Sequence, residues 1–206
     1  MKKNLILIAI IAVFSSACSQ WVSVNPLSLP SVLDKKLEGA WKVDSKDGDE
    51  VYLHIGKKTE NTMVAVTVEH KDDGSLDIAE IPFHVTMTGA NNYFNIRYKD
   101  IDEDLSTEDD AYIFIKYSIT DDGTLLLYQF DPDIIISAVQ SGKLKGEITY
   151  REAKAAPESA DKEKSASEKR IESVRITDTS ENMVKFFNSE GQKFEPEVMK
   201  FVRVKK

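Results

Sequence analysis

Three histidines, one cysteine and one dense run of carboxylates are the residues of this 206-residue chain whose chemistry reaches beyond packing. To hold a transition metal, His54, His70 and His84 would have to bring two rings to one face. His54 and His84 each stand opposite the apolar row of their segment, so convergence is open to them. The other reading is a surface or hydrogen-bonded histidine at each position. No local ligand spacing joins the three, and no metal site is expected. From Asp100 to Asp110 seven carboxylates fall within eleven residues. Asp100, Asp102, Asp104 and Glu108 imitate the first, third, fifth and ninth positions of a calcium loop. Leu105 stands where that loop needs glycine, and Ala111 where it needs a bidentate glutamate. The run therefore reads as a solvated hairpin loop, with weak Ca²⁺ binding left open. No serine sits in a Gly-x-Ser-x-Gly context. With no nucleophile–base arrangement in view, neither an enzyme nor a cofactor is expected.

The cysteine is the more informative residue. Ahead of it, Met1–Ala17 has a basic start at Lys2 and Lys3, ten apolar residues from Leu5 to Phe14, and then Ser15, Ser16 and Ala17. That is the layout of a secretory signal peptide over residues 1–17, and its apolar run is far short of the ~20 residues a membrane-spanning helix needs. The next residue, Cys18, is the only cysteine in the chain. Ser15-Ser16-Ala17-Cys18 resembles the lipobox of bacterial lipoproteins. The resemblance implies acylation of Cys18 and anchoring to the membrane through acyl chains. Ser19 stands where the family's inner-membrane retention signal is usually Asp. In a Gram-negative cell this implies the outer membrane, facing the periplasm. Two or three acyl chains, at ~0.8 kcal/mol per buried CH₂, anchor a protein essentially permanently. Residues 18–30 then read as a lipidated tether reaching about 40 Å if extended.

The elements that position the remaining candidates follow from periodicity. Val51, Leu53 and Ile55 alternate with Tyr52 and His54; Val64, Val66 and Val68 alternate with smaller or polar residues. Ile81, Phe83, Val85 and Met87 share a face opposite His84, Thr86 and Thr88. Further alternating rows lie at Phe94–Tyr98, Ile113–Ile119 and Leu125–Leu127, with strands also expected at Leu144–Tyr150, Ile171–Thr177 and Val198–Val204. Turn signals at 47–48, 72–74, 89–92 and 121–123 make consecutive strands antiparallel neighbours. Three short helices are expected: Ser31–Glu38 before Gly39, Pro132–Gln140 capped by Asp131, and Asp178–Asn188 with Glu181 at capping-box spacing. The fold class is thus mainly β: an antiparallel meander of about ten strands forming a barrel or strongly curved sheet, in one domain over 31–206. Residues 151–170, rich in Ala, Glu, Lys and Ser, read as a disordered insertion in a hairpin.

Gly39-Ala40-Trp41 opens the first of these strands directly after a short helix. With the meander, the helix Asp178–Asn188 and a last strand at Val198–Val204, the chain resembles the lipocalins over about half its length. That resemblance implies a closed barrel, structural roles for Gly39 and Trp41, and Arg203 laid over the Trp41 ring as a cation–π lid. A barrel of this size encloses either packed side chains or one small ligand. Tyr52, Phe83, Phe94, Tyr112, Phe114 and Tyr128 could line such a space, or could be core and cross-strand pairs. The candidate ligand-binding set is Tyr52, His54, His84, Tyr112, Phe114 and Tyr128.

Charge narrows the partners. With 27 basic and 35 acidic residues the chain carries −8, and loss of Lys2 and Lys3 with the leader makes that 25 against 35, or −10. A negative chain without a basic stripe argues against nucleic acid. One cysteine excludes a disulfide framework. The function expected is a lipid-anchored envelope protein whose barrel binds a small apolar or amphipathic ligand. The other expectation is a structural or interaction protein that docks another envelope protein.

Overall fold

A computed structural model describes residues 20–43, 51–70, 74–89, 91–101, 111–128, 130–152, 169–189 and 199–204. The expected signal peptide over 1–17, Cys18 and nearly all of the acidic run lie outside these residues. The alternating segments form the strands of a closed barrel: β2 (Gly39–Val43), β3 (Val51–Lys57), β4 (Met63–His70), β5 (Leu76–Met87), β6 (Asn92–Arg97), β7 (Tyr112–Ile119) and β8 (Leu125–Tyr128). Each pairs antiparallel with the next, and β11 (Met199–Arg203) closes the cylinder between β8 and β2, so eight strands encircle the axis. The turn at 120–124 shows how the hairpins are made. Gly123 adopts φ +83°, a region only glycine enters cheaply, and Thr120 and Thr124 close the loop with a 2.9 Å backbone bond.

Side chains alternating inward from these strands form one cluster. It includes Trp41, Leu53, Met63, Phe83, Phe94, Tyr117, Leu125 and Phe201, all buried. Pairs of rings meet across it: Phe94 stacks on Tyr117 at 4.4 Å between centroids and touches Phe83 at 4.6 Å. The described inward side chains meet across the interior as this one cluster, as an eight-strand cylinder allows.

A second layer lies against the outside of β6 and β7. β1 (Gln20–Ser23) meets β7 at Ser23–Tyr112 and runs parallel to β10 (Lys169–Ile176), which pairs with β9 (Gly146–Glu152). Helices α1 (Pro132–Gln140) and α2 (Ser180–Ser189) complete it. Tyr93 and Phe114 project from the barrel into a cluster with Phe130, Ile135, Val174, Met183 and Phe187. Phe187 is its hub, with ring centroids 4.3 Å from Phe130, 5.6 Å from Phe114 and 6.2 Å from Trp21.

Several expectations need correction. The helix expected over Ser31–Glu38 is a turn. The Asp34 carboxylate accepts from the Lys36 amide (3.0 Å) and from the Tyr117 hydroxyl (2.9 Å), and Trp41 Nε1 donates to the Leu37 carbonyl (2.8 Å). Tertiary partners thus take the groups a helix would have used, and Leu33 and Leu37 pack into the barrel core. α1 starts where expected, with Asp131 accepting from the Asp133 amide at 2.9 Å and Pro132 at the first helical position. α2 begins two residues later than expected, because Thr179 rather than Asp178 accepts from the amide three residues on. The tether over 18–30 is not free from Gln20 onward: β1 pairs with two strands, and residues beyond it lie on the barrel wall. The insertion is shorter than 151–170, since Arg151 and Glu152 still pair with Arg170 and Lys169; residues 153–168 lie outside the described residues.

Candidate functional site

None of the six ligand-binding candidates points into the barrel. Leu53 and Ile55 take the inner positions of β3, so Tyr52 and His54 alternate outward. Tyr52 lies edge-on to His70 at 6.4 Å, with the Lys42 ammonium 5.6 Å from its ring. Tyr112 and Phe114 face the second layer. Tyr128 lies on the outer face of β8 beneath the Lys116 ammonium, 5.5 Å from its ring, and burial pushes that ammonium's pKa down. Of the aromatic residues considered for the interior, Phe83 and Phe94 do project inward.

His54 and His84 do not converge. His54 is exposed, and its cross-strand row runs through Val66 to Glu80. His84 is buried on the outer face of β5, where it holds the segment after β1. Its Nε2 lies 2.7 Å from the Ser28 carbonyl, which can only accept, so Nε2 carries the proton. Burial holds the His84 pKa below its usual range; the Ser28 bond opposes this shift and the Arg97 charge adds to it. Around it the Leu27 amide donates to Asn95 Oδ1 (2.8 Å), Asn95 Nδ2 donates to Thr86 Oγ1 (2.9 Å), and the Ser28 and Thr86 hydroxyls share a 2.7 Å bond. This polar patch straps residues 27–28 to the barrel. On the sequence, His84, Thr86 and Asn95 look like ordinary solvent-facing strand residues, and no local signal reveals what covers them.

Asp178 makes a second polar hub that no local sequence signal reveals. Asp178 is buried, and its carboxylate accepts from the Lys145 amide (2.9 Å), the Thr179 amide (2.8 Å) and Asn182 Nδ2 (2.6 Å). Burial works to raise its pKa, but these donors outweigh it and hold the carboxyl below the usual range. The buried phenols of Tyr93 and Tyr117 are pushed upward, chiefly by burial, the latter also by the Asp34 carboxylate.

The expected cation–π contact is present. The Arg203 guanidinium lies 4.1 Å from the Trp41 ring centre and donates to the carbonyls of Glu38 (2.7 Å) and Lys36. Gly39 has φ +140°, and a Cβ there would stand 2.7 Å from Arg203 Nη1. The lid demands glycine at this position. Gly39, Trp41 and Arg203 therefore work as one closure.

Two outer features remain. A groove of about 390 Å³ lies between α1 and α2, floored by Ile134, Ala138 and Phe186 and edged by polar Asp133, Ser137, Ser141 and Lys143. On the opposite wall, Tyr52, Val68 and Ile78 stand in register across β3, β4 and β5, joined by Val66 and by Leu76. Ile78 is 59% exposed and Leu76 52%, so this strip is apolar and open. Among the described residues no His, Cys, Asp or Glu cluster could hold a metal ion, and no helix is long and apolar enough to cross a membrane.

Comparison with the models of known protein families, with curated proteins and with solved structures finds no match. The closed antiparallel eight-strand barrel is compatible with a lipocalin-like barrel.

Proposed function

We propose that this chain is a lipid-anchored envelope lipoprotein, acylated at Cys18 and facing the periplasm from the outer membrane, whose barrel is a rigid scaffold that docks another envelope protein. The observation that carries this reading is the filled barrel: one continuous cluster of inward side chains occupies the space a carried ligand would need. The residues with exposed chemistry lie outside, and the apolar strip of Tyr52, Val66, Val68 and Ile78 is the surface on which a partner would gain most from burial. No catalytic role is assigned to any residue.

Anchor and docking are tested separately. A palmitate analogue should label the wild-type protein in cells and fail to label Cys18→Ala. A photo-cross-linking residue at Ile78 should trap one defined envelope protein, with trapping abolished by Val66→Asp. The competing reading, a small-molecule carrier, is favoured by the α1–α2 groove. Native mass spectrometry of the protein from its own host discriminates the two: a stoichiometric small ligand released by Ser137→Trp would overturn the docking reading.

A further inference from the structure

The second layer ends where the anchor begins. Because β1 runs parallel to β10 with Gln20 opposite Ser173, the chain leading back to Cys18 leaves beside the start of β10 and the end of β9. Only Ser19 separates Cys18 from Gln20, a reach of at most ~7 Å. At this end Arg151 stands directly opposite Arg170, and Tyr150 directly opposite Ile171. Both arginines are exposed, Tyr150 is 48% exposed and Ile171 half-buried; the neighbouring acids are Glu172, which is exposed, and Glu152, which is in register with Lys169. Like charges directly opposed across a ladder destabilise it, so this pair gains from an external anion. Arginine, tyrosine and an apolar neighbour are also the residue types that settle at the headgroup level of a bilayer.

The charge of the barrel is arranged to match. Three of its hairpin connections, 44–50, 71–75 and 98–111, return at the end where β7 begins. They carry four, two and seven acids against Lys46, Lys71 and Lys99, a net −10. The connections at the other end, 58–62, 88–91 and 120–124, carry Glu60, Asp121 and Asp122 against Lys58, a net −2. β1 is antiparallel to β7 and pairs with it at Ser23–Tyr112, so the anchored N-terminus points away from the −10 end. An anionic leaflet repels that end and attracts arginine within about a Debye length of ~8–10 Å.

We propose that the end of the β9–β10 hairpin, with Arg151 and Arg170 on one face and Tyr150 and Ile171 on the other, seats on the membrane, contacts anionic phospholipid headgroups beside the Cys18 anchor and holds the barrel with its acidic end outward. The proposal rests on acylation at Cys18. It replaces a body standing off on a long tether with one seated on the bilayer.

The full-length acylated protein is reconstituted in vesicles of phosphatidylethanolamine and phosphatidylglycerol, or of phosphatidylcholine alone, containing a nitroxide-headgroup lipid. With Cys18 blocked by lipid, a thiol introduced as Thr149→Cys or Ser75→Cys takes a single fluorophore. Quenching is expected at position 149 and not at 75, stronger with phosphatidylglycerol. Arg151→Glu with Arg170→Glu should reduce it to less than about half, given the strength of arginine–headgroup attraction. Circular dichroism reports folding, and Arg151→Gln with Arg170→Gln serves if charge reversal prevents it. Equal quenching at both positions, or quenching at 149 indifferent to the substitutions and to phosphatidylglycerol, would overturn the seating while palmitate labelling still supports the anchor. Labelling that persists in Cys18→Ala would overturn the anchor itself, and the seating with it.

Discussion

Arg203 on the last strand covers Trp41 on the first barrel strand at 4.1 Å, while its guanidinium donates to the Lys36 and Glu38 carbonyls. One side chain thus ties the closing strand to the turn that plugs the barrel end. Arg203→Ala should cost about 2 kcal/mol from the lost cation–π contact and charge-assisted bonds. Arg203→Lys should recover less than half, since a point charge cannot bridge two carbonyls in a plane. Chemical denaturation measures both. Gly39→Ala should cost as much as Arg203→Ala, and the two should be less than additive, because the added methyl displaces the same guanidinium.

The barrel is legible in the sequence because alternation is local, whereas the Arg203–Trp41 closure joins the last strand to the first and is reached only through the resemblance that Gly39-Ala40-Trp41 carries. The rows of β3 and of β5 to β8 carry their apolar inward faces in a period of two, so wall and core follow together there. On β4 the apolar row Val64, Val66 and Val68 faces outward, while Met63, Ala65 and Thr67 face in. What was not legible depends on distant partners. Gln20–Ser23 is four residues long and becomes a strand only through parallel pairing with β10, some 150 residues later. For the same reason residues 27–28 gave no sign of lying on the barrel, and Tyr112 and Phe114 could not be told from interior residues until the second layer was seen to cover β7. Alternation shows that a strand has two faces; which face meets a second layer is decided elsewhere in the chain.

His84 makes the strap pH-sensitive. Its folded-state pKa lies below the unfolded value of about 6.5, so its neutral form contributes stability that is fully present above that value. This stability is withdrawn as the pH falls through 6.5 toward the folded-state pKa, because the unfolded chain takes up the proton first. Thermal unfolding of wild type should therefore show a falling Tm between about pH 7 and pH 5. His84→Gln, whose amide nitrogen can still donate to the Ser28 carbonyl, should flatten that slope. An unchanged slope would remove His84 from the account.

Asp178 acts in the opposite pH range. Its carboxylate ends three donors from β9's leading edge and from the start of α2, and its folded-state pKa is depressed. Its contribution is present above the usual carboxylate range and lost as the pH falls through the folded value. Asp178→Asn turns one acceptor into a donor facing other donors, and should cost about 2 kcal/mol at neutral pH, lowering Tm by about 4–8 °C. The gap between variant and wild type should narrow in acid. A constant gap would mean the loss is one of packing rather than of charge.

The docking reading stands on a filled barrel, and truncation of Phe94 tests that directly. Its ring stacks on Tyr117 at 4.4 Å and meets Phe83 at 4.6 Å, within the cluster that also holds Trp41 and Phe201. In a close-packed interior Phe94→Ala loses the transfer free energy of the ring and leaves a cavity the surrounding strands cannot close, at a combined cost of about 3–5 kcal/mol. In a hollow barrel the same ring would line open space, and removing it would enlarge that space at little more than half the cost. Phe94→Leu separates packing from mere apolarity, since it keeps a large aliphatic group and should recover most of the loss. Equilibrium unfolding of the three proteins reads the difference. A small loss in Phe94→Ala, accompanied by a gain in affinity for an apolar dye, would point instead to a barrel with room for a ligand.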